Sequence, residues 1–279
     1  MAGDPAAMPK GVERPTVEEF YHQYWGKVGG VGRLRRTFSL FASMRGMLAI
    51  QVKNLNPGVG GAELAWRTAK RMYTSNAATQ KLLDSGEPTN MFTDDFPETI
   101  ERLLPILIEL KLRFHFTGGI AASYYGDPRF TQDLDLVIDL ANDRPETKAL
   151  LNRLSSGYFI DLPIARDAIE RKGLFQAIDE LSMIRIDFHV GEKISGELVR
   201  GTLREVAPGL MAPLVSKEDA ILSKLLWIQM GSQKSRQDVL EMLKRDEDLD
   251  RVSLQKNVTA LGLQDLLVEI EEEGHRFLH

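Results

Sequence analysis

Two aspartates, Asp133 and Asp135, flank a single leucine in the segment QDLDLVI at residues 132–138. Because residues i and i+2 of a β-strand project to the same face, both carboxylates point to one side if this segment is a strand, and Leu134 points to the other. Adjacent carboxylates repel each other unless a cation lies between them, and hard divalent cations prefer oxygen ligands. The pair therefore predicts a site for Mg²⁺, or alternatively Mn²⁺, of the kind that also binds substrate phosphates.

A glycine pair, Gly118-Gly119, precedes the aspartates and opens a short segment that we expect to be an amphipathic helix. The start of a helix offers free backbone N–H groups and the positive end of the helix dipole to a phosphate. A phosphate-binding backbone together with metal-binding carboxylates indicates nucleotidyl transfer.

A third carboxylate, Asp187, lies in the segment SMIRIDFHV at residues 182–190, which alternates as a strand does. The alternation predicts one apolar and one polar face, formed by Ile184, Ile186 and Phe188 and by Arg185, Asp187 and His189. Beside the first strand, Asp187 would complete a two-metal site. The alternative is an ion pair with Arg185, since a carboxylate within a strand usually has a partner. We expect His115 and His189, both on predicted strands, to be structural rather than metal ligands.

The glycine pair, the Asp-x-Asp pair and the later aspartate on a strand resemble the DNA polymerase β-type nucleotidyltransferase superfamily. More narrowly, GGIAASYYGDPRFTQDLDL is similar to the bacterial AbiEii-like and MenT-like nucleotidyltransferases, many of which are toxins of toxin–antitoxin systems. The segments SKEDAILSKLLW and SRQDVLEML, at residues 216–227 and 235–243, resemble the helical half of that subgroup. The resemblance covers roughly residues 97–250.

This resemblance implies an enzyme that moves a nucleoside monophosphate from a nucleoside triphosphate to an acceptor hydroxyl. It implies Asp133 and Asp135 as metal ligands, and Asp187 as the third carboxylate, which assists deprotonation of the acceptor. Gly118 and Gly119 would bind the triphosphate through their backbone. Many superfamily members carry Gly-Ser where this chain carries Gly-Gly.

Five further positions near the glycine pair have two interpretations each. Ser123 either supplies the missing hydroxyl to the nucleotide or, as we prefer, is a small packing residue. Arg129 and Thr131 belong to an Arg-x-Thr-x-Asp-x-Asp string that recurs in the subgroup. Arg129 either neutralises phosphate or anchors the loop to an acidic partner, whereas Thr131 fits loop backbone better than nucleotide. The Tyr124-Tyr125 pair belongs either to the core or to a cleft wall that stacks a base.

A helical lysine and a later aspartate complete the nucleotide site in MenT-like members, and the resemblance places Lys224 and Asp238 in these catalytic roles. Lys224 lies on a segment rich in leucine, so its ammonium must reach solvent or an anion. Asp238 is either catalytic or an N-terminal cap of a helix that begins at Ser235. Arg236 is a further candidate for nucleotide binding, and Trp227 is expected in the core.

The composition describes an ordinary soluble globular chain, with 279 residues, 43% hydrophobic and 27% charged. The net charge of −5 excludes a general polyanion binder, so any RNA must bind to a local basic patch. The chain contains no cysteine, which excludes disulfides and thiolate chemistry. It shows neither a signal peptide nor a membrane span, and we expect a cytoplasmic protein.

The pattern of predicted elements indicates an α+β fold in which helical regions flank a small mixed β-sheet. We expect one helix over residues 62–83, a helix from residue 97 to 112 and helices after residue 213. The predicted organisation is a disordered tail (1–14), a helical unit of unknown role (15–90), a nucleotidyltransferase core (97–210) and a C-terminal helical domain (211–279). The helical unit is either a structural appendage or a regulator that covers the cleft.

The sequence does not identify the acceptor molecule. It is tRNA or another RNA if the protein is a toxin, in which case an antitoxin protein is a further partner. The alternatives are a protein or small-molecule acceptor, or a nucleotide-binding module that has lost turnover.

Overall fold

The structure is a computed structural model that describes residues 16–87, 95–245 and 249–276. The tail predicted at residues 1–14 lies outside the described residues. Three helices come first: α1 (Val17–Leu55), α2 (Gly61–Met72) and α3 (Ala77–Ser85). Inside α1, Gly29 has φ 73° and ψ 171°, so two straight segments meet there at a kink. These values lie in a region that glycine enters without the strain of a side chain.

The single helix predicted over residues 62–83 is wrong. The Asn76 side chain accepts a hydrogen bond from the Thr79 backbone N–H and begins α3, so α2 ends at Met72. Asparagine is a strong N-cap because its side-chain oxygen replaces a missing helical acceptor. A helix break inside a continuous apolar pattern follows from this one residue.

The central elements are helices and short strands, whereas the described C-terminal elements are all helices. The central elements are α4 (Phe96–Glu109), β1 (Phe114–Phe116), α5 (Gly118–Tyr125), β2 (Asp133–Ile138), α6 (Pro145–Leu154), β3 (Tyr158–Ile160), α7 (Leu162–Glu170), β4 (Leu174–Asp179), β5 (Arg185–Val190), α8 (Glu197–Arg200), β6 (Thr202–Ala207) and β7 (Leu210–Leu214). The C-terminal helices are α9 (Lys217–Gln229), α10 (Gln233–Lys244), α11 (Arg251–Ala260) and α12 (Gln264–Arg276). Ser216 is the N-cap residue of α9, and its side chain accepts a hydrogen bond from the Asp219 backbone N–H.

The seven strands form one mixed sheet in the order β3-β4-β5-β2-β1-β7-β6. β2 pairs in parallel with β5 and antiparallel with β1, and β7 pairs in parallel with β1. The α+β class with a mixed sheet is therefore confirmed. The predicted domain boundary between residues 210 and 211 falls inside β7, so strand pairing extends the sheet-bearing part to Leu214.

The N-terminal helices share the hydrophobic core of the sheet. Phe38 stacks on Phe96 with ring centroids 5.2 Å apart, and Phe41 meets the same ring edge-on at 4.8 Å. One buried cluster runs from Leu34 through the sheet to Ile270. Helices α1, α2 and α3 thus share one core with the sheet rather than forming a separate unit.

None of the described helices combines the length and the apolar character needed to cross a membrane.

Candidate active site

Strands β2 and β5 place the three predicted carboxylates side by side. On β2, Leu134 and Leu136 are fully buried, whereas Asp133 and Asp135 keep part of their surface exposed. The parallel register sets Asp135 opposite Asp187, with Asp133 opposite Arg185. The strand pairing that would bring Asp187 beside the first pair is therefore present.

Arg185 lies among these carboxylates. Its Nε is 2.9 Å from Oδ1 of Asp187, and its guanidinium also pairs with Asp133. The Tyr73 ring lies beneath the guanidinium, 5.6 Å from centroid to Cζ. The ion pair between Asp187 and Arg185, which the sequence left open, is thus formed, and it coexists with the carboxylate cluster.

Burial and mutual repulsion set the charge states of the three carboxyls. Burial raises the pKa of Asp187 to about 7; Asp135 and Asp133 add to that rise, while Arg185 opposes it. Burial, followed by repulsion from Asp135, also raises the pKa of Asp133. For Asp135, burial acts upward, but the hydrogen bond and charge of His189 hold its pKa below the usual value. The positive charge near Asp133 and Asp187 therefore does not offset their burial and mutual repulsion, whereas His189 stabilises the ionised form of Asp135.

His189 belongs to the site, although we expected it to be structural. Its Nε2 lies 3.1 Å from Oδ1 of Asp135, and it lines the adjacent cavity. Burial tends to lower the pKa of His189, but the bond to Asp135 raises it overall. The signal was available in the alternation of β5, which puts His189 on the same face as Asp187. His115, by contrast, is fully buried with Nε2 3.6 Å from Oε2 of Glu197, as a structural histidine would be.

The glycine pair lies where no side chain fits. Gly118 has φ 61°, and a Cβ there would fall 1.9 Å from Oδ2 of Asp135. A Cβ on Gly119 would fall 2.3 Å from Oγ1 of Thr131, which in turn donates to Oδ1 of Asp133 at 3.0 Å. Thr131 therefore contacts a carboxylate rather than loop backbone. The start of α5 is held directly against the aspartates.

The expected amphipathic character of α5 is wrong. The helix packs against α1, α9, α10 and β2, so most of its side chains are buried. Tyr125 is in the core and donates to the carbonyl of Val215 at 2.7 Å. Ser123 is fully buried and does not line the cavity, so it packs in the interior and does not contact the nucleotide site.

Asp238 joins two cationic side chains. Its Oδ1 lies 2.6 Å from Nε of Arg129, and its Oδ2 lies 2.9 Å from Nζ of Lys224. Arg129 thus anchors its loop to an acidic partner. Asp238 is not a helix cap, because α10 has Ser232 as its N-cap residue and not Ser235. Lys224 lies on α9 among apolar residues, and its ammonium group forms an ion pair with Asp238 at the cavity wall.

A cavity of about 760 Å³ opens above the aspartates, between the sheet and helices α9 and α10. Eight of the predicted site residues line it: Gly118, Gly119, Arg129, Thr131, Asp133, Asp135, Lys224 and Asp238. Asp187 lies just outside this lining, 6% exposed beneath Arg185. Arg236 does not reach the cavity, because it pairs with Glu269 and Glu273 on α12.

Several further cavity residues were not assigned to the site from the sequence, among them Trp227, Lys193 and Lys234. Trp227, expected in the core, is 44% exposed and lines the cavity. It follows Lys224 by one helical turn of α9, and this spacing places both on one helix face. Lys193 and Lys234 also line the cavity. Burial, followed by the charge of Arg129, lowers the pKa of Lys234.

The carboxylates suit a hard cation by their chemistry. Within the three described ranges, no trio of Asp, Glu or His side chains already converges as a metal site. However, Asp133, Asp135 and Asp187 offer carboxylate oxygens from neighbouring strands, which is the donor type that Mg²⁺ prefers. Arg185 already brings positive charge to two of them. The donor set fits a divalent cation.

The chain is similar over part of its length to several solved structures. Among solved structures, the chain is similar to an antigenic nucleotidyltransferase-like protein from Paracoccidioides brasiliensis, at 20% identity and TM-score 0.39, covering 62% of this chain and 91% of that one. It is also similar to the antibiotic-resistance factor ANT(2'')-Ia in solution, at 17% identity and TM-score 0.39, covering 64% and 96%. A crystal structure of ANT(2")-Ia with adenylyl-2"-tobramycin gives 18% identity and TM-score 0.35, covering 63% and 97%. No curated protein matches the chain.

The family comparison covers the site. Residues 102–266 match the family described as nucleotidyl transferase AbiEii toxin, type IV TA system. This match includes all strands of the sheet and the cavity. Because it spans more than half of the chain, the protein belongs to the AbiEii family and is a nucleotidyltransferase.

Proposed function

We propose that the protein is a Mg²⁺-dependent enzyme that transfers a nucleoside monophosphate from a nucleoside triphosphate to a hydroxyl of an RNA, such as tRNA, and that it acts as a toxin. The observation that supports this most is the register of β2 and β5, which gathers three carboxylates beside a cavity that two of them line together with the glycine pair. Four basic side chains line the same cavity, Arg129, Lys193, Lys224 and Lys234, and these favour a polyanionic acceptor.

In this proposal Asp133, Asp135 and Asp187 hold the metal. When bound, Mg²⁺ neutralises the triphosphate and favours ionisation of the acceptor hydroxyl. The acceptor oxygen forms a bond to the α-phosphorus, and the bond from that phosphorus to the leaving pyrophosphate breaks. Asp187 accepts the proton of the acceptor hydroxyl as the new bond forms.

The remaining side chains bind and orient the nucleotide. The N–H groups of Gly118 and Gly119 at the start of α5 face the phosphates. Lys224 is held at the cavity wall by Asp238 and gives the phosphates a positive charge. This arrangement positions the reactants and stabilises charge, which are the main sources of rate in phosphate-transfer chemistry.

Trp227 provides a surface on which a nucleobase can stack. Trp227→Ala should raise the KM for the nucleoside triphosphate by about 10- to 100-fold, because stacking of a base on an aromatic ring contributes about 1–3 kcal/mol. The kcat should change little, since such binding is equal in the ground and transition states. Steady-state kinetics test this, with Trp227→Phe as the variant that keeps a ring. An unchanged KM in Trp227→Ala would place the base elsewhere.

Arg185 holds the carboxylates together in the structure. Arg185→Met should cost about 3–5 kcal/mol of unfolding free energy, because removing one partner of a buried ion pair leaves charge uncompensated. Mg²⁺ should restore part of this loss, which urea denaturation with and without the ion measures. Arg102→Met is the matched control, since its partner Asp179 lies outside the cavity lining. Equal responses of the two variants to Mg²⁺ would argue against the metal site.

The reaction itself can be tested directly. The protein is incubated with Mg²⁺, each labelled nucleoside triphosphate and total cellular RNA, alongside a variant with Asp133→Ala and Asp135→Ala. Label on RNA that is lost in the variant supports the proposal. Label on protein or on a small molecule would replace the acceptor class, and no label with any acceptor would indicate an inactive nucleotide-binding module. Toxicity is tested by growth of cells that express either form.

A further inference from the structure

A chain of side-chain hydrogen bonds links the N-terminal helices to Asp187. Gln176 on β4 is the register partner of Asp187 on β5, and its Nε2 donates to Oδ1 of Asp187 at 3.2 Å. The amide oxygen of Gln176 accepts from the hydroxyl of Thr79 on α3 at 3.0 Å. Thr79 itself is fully buried. The three side chains form one connected line from a helix to a carboxylate.

The orientation of the Gln176 amide sets the direction of these hydrogen bonds. A glutamine amide can turn either its oxygen or its NH₂ group towards a neighbour. With the Thr79 hydroxyl donating to Oε1, the NH₂ group must face Asp187. A reversed amide would direct an oxygen at a carboxylate, which repels it. An ionised Asp187 therefore selects the orientation of the Gln176 amide, and the Thr79 hydroxyl, which can donate or accept, stabilises that orientation by donating to Oε1.

Asp187 is contacted both by Gln176 and by Arg185. Arg185 draws Asp187 towards Asp133 through ion pairs with both. Gln176 contacts Asp187 from the neighbouring strand on the other side, since β5 lies between β4 and β2. A carboxyl that is contacted by both Gln176 and Arg185 keeps one orientation. A carboxyl that is contacted by Arg185 alone can move together with the Arg185 side chain.

We propose that Thr79 and Gln176 are positioning residues that orient Asp187 for metal binding and transfer, so that the catalytic machinery extends into α3. This inference rests on the proposed function for the role of Asp187. It gives a task to residues before position 102, where the family match begins. Partners of metal ligands act in this way elsewhere, and their loss costs about 10- to 100-fold in metal affinity or activity.

The test compares threonine variants that keep the shape of the buried side chain. Thr79→Val removes the hydroxyl, and Thr79→Ser keeps it. Gln176→Met removes the amide at similar length and serves if Thr79→Val does not fold. Thr68→Val is the matched control, because Thr68 is also fully buried and its hydroxyl donates within α2, to the carbonyl of Leu64 at 2.7 Å.

Calorimetric titration of each protein with Mn²⁺ alone is the first measurement, and kcat and KM are the second. Thr79→Val and Gln176→Met should each bind Mn²⁺ about 10-fold more weakly and lose about 10-fold in kcat, with KM for the nucleotide within about 2-fold. Thr79→Ser and Thr68→Val should match the wild type in both. Thr79→Val that behaves like Thr68→Val, or Thr79→Ser that behaves like Thr79→Val, would overturn the inference.

The two measurements separate this inference from the proposed function. If the wild type binds Mn²⁺ but transfers no nucleotide, the proposed function fails, and the Mn²⁺ affinities still decide whether Thr79 positions Asp187. A wild type that neither binds Mn²⁺ nor transfers nucleotide overturns both.

Discussion

Asp135→Asn should lower kcat for nucleotidyl transfer by about 1,000-fold or more, since loss of charge stabilisation at a metal site is worth several kcal/mol. Among the three carboxyls, Asp135 is the one whose pKa is held below its usual value, so it is the most firmly ionised. It also lies against the glycine pair, where Oδ2 would be 1.9 Å from a Cβ at position 118. Asparagine keeps that close fit and removes the charge.

The measurement is single-turnover transfer of labelled nucleotide, with the melting temperature as a check of folding. Asp139→Asn is the matched control, because Asp139 directly follows β2 and pairs with Arg113 and Arg144 outside the cavity. The control should retain wild-type transfer. If Asp135→Asn kept more than about a tenth of wild-type kcat, Asp135 would not be a metal ligand in the reaction.

Deletion of residues 1–87 should abolish the folded state rather than release activity. The truncation removes buried side chains that include Leu34, Phe38, Phe41 and Leu83. Each contributes about 1.5–3 kcal/mol through burial, so their sum approaches the whole stability of a typical domain, about 5–15 kcal/mol. It also removes Tyr73, whose hydroxyl lies 2.9 Å from the carbonyl of Gln132 and accepts from the Arg185 N–H at 3.1 Å.

This prediction opposes the regulatory interpretation of the N-terminal helices. Every described residue that lines the cavity lies between Thr117 and Asp238, so α1, α2 and α3 do not cover it. Thermal denaturation followed by circular dichroism, with the transfer assay, measures the outcome. Deletion of residues 1–15 is the control that leaves every described element in place. A truncation of residues 1–87 that melts cooperatively and transfers nucleotide faster would restore the regulator.

The parts of the fold that the sequence predicted are those with a regular, two-sided pattern. In β2 the leucines alternate with aspartates, and in β5 the apolar residues alternate with polar ones, so both strands and their faces were predictable. The strands β4, β6 and β7 were missed. β4 begins with the exposed Leu174 and ends in three consecutive buried residues, which gives no alternation. β6 and β7 begin with exposed or half-buried residues, so they also lack a clear alternation.

The site was predictable where neighbours in sequence are neighbours in space. The glycine pair lies on α5 and Asp133 and Asp135 on the next element, β2, and the structure brings them into contact distance. Arg236 was placed in the cleft because no local pattern shows that α12 supplies Glu269 and Glu273 as its partners. Trp227 was placed in the core because α9 carries apolar residues around much of its surface, so periodicity did not identify the face that remains open.

The crowding around Gly119 couples two positions that lie in different elements. The hydroxyl of Thr131 occupies the space that the side chain of residue 119 would need, since the two would be 2.3 Å apart. The serine that many superfamily members carry after the first glycine would thus require Thr131 to shift in this chain. In this chain a hydroxyl reaches Asp133 from the preceding loop instead of from the helix start. Related sequences should therefore exchange the two residues together, with serine at the one position accompanied by a smaller residue at the other.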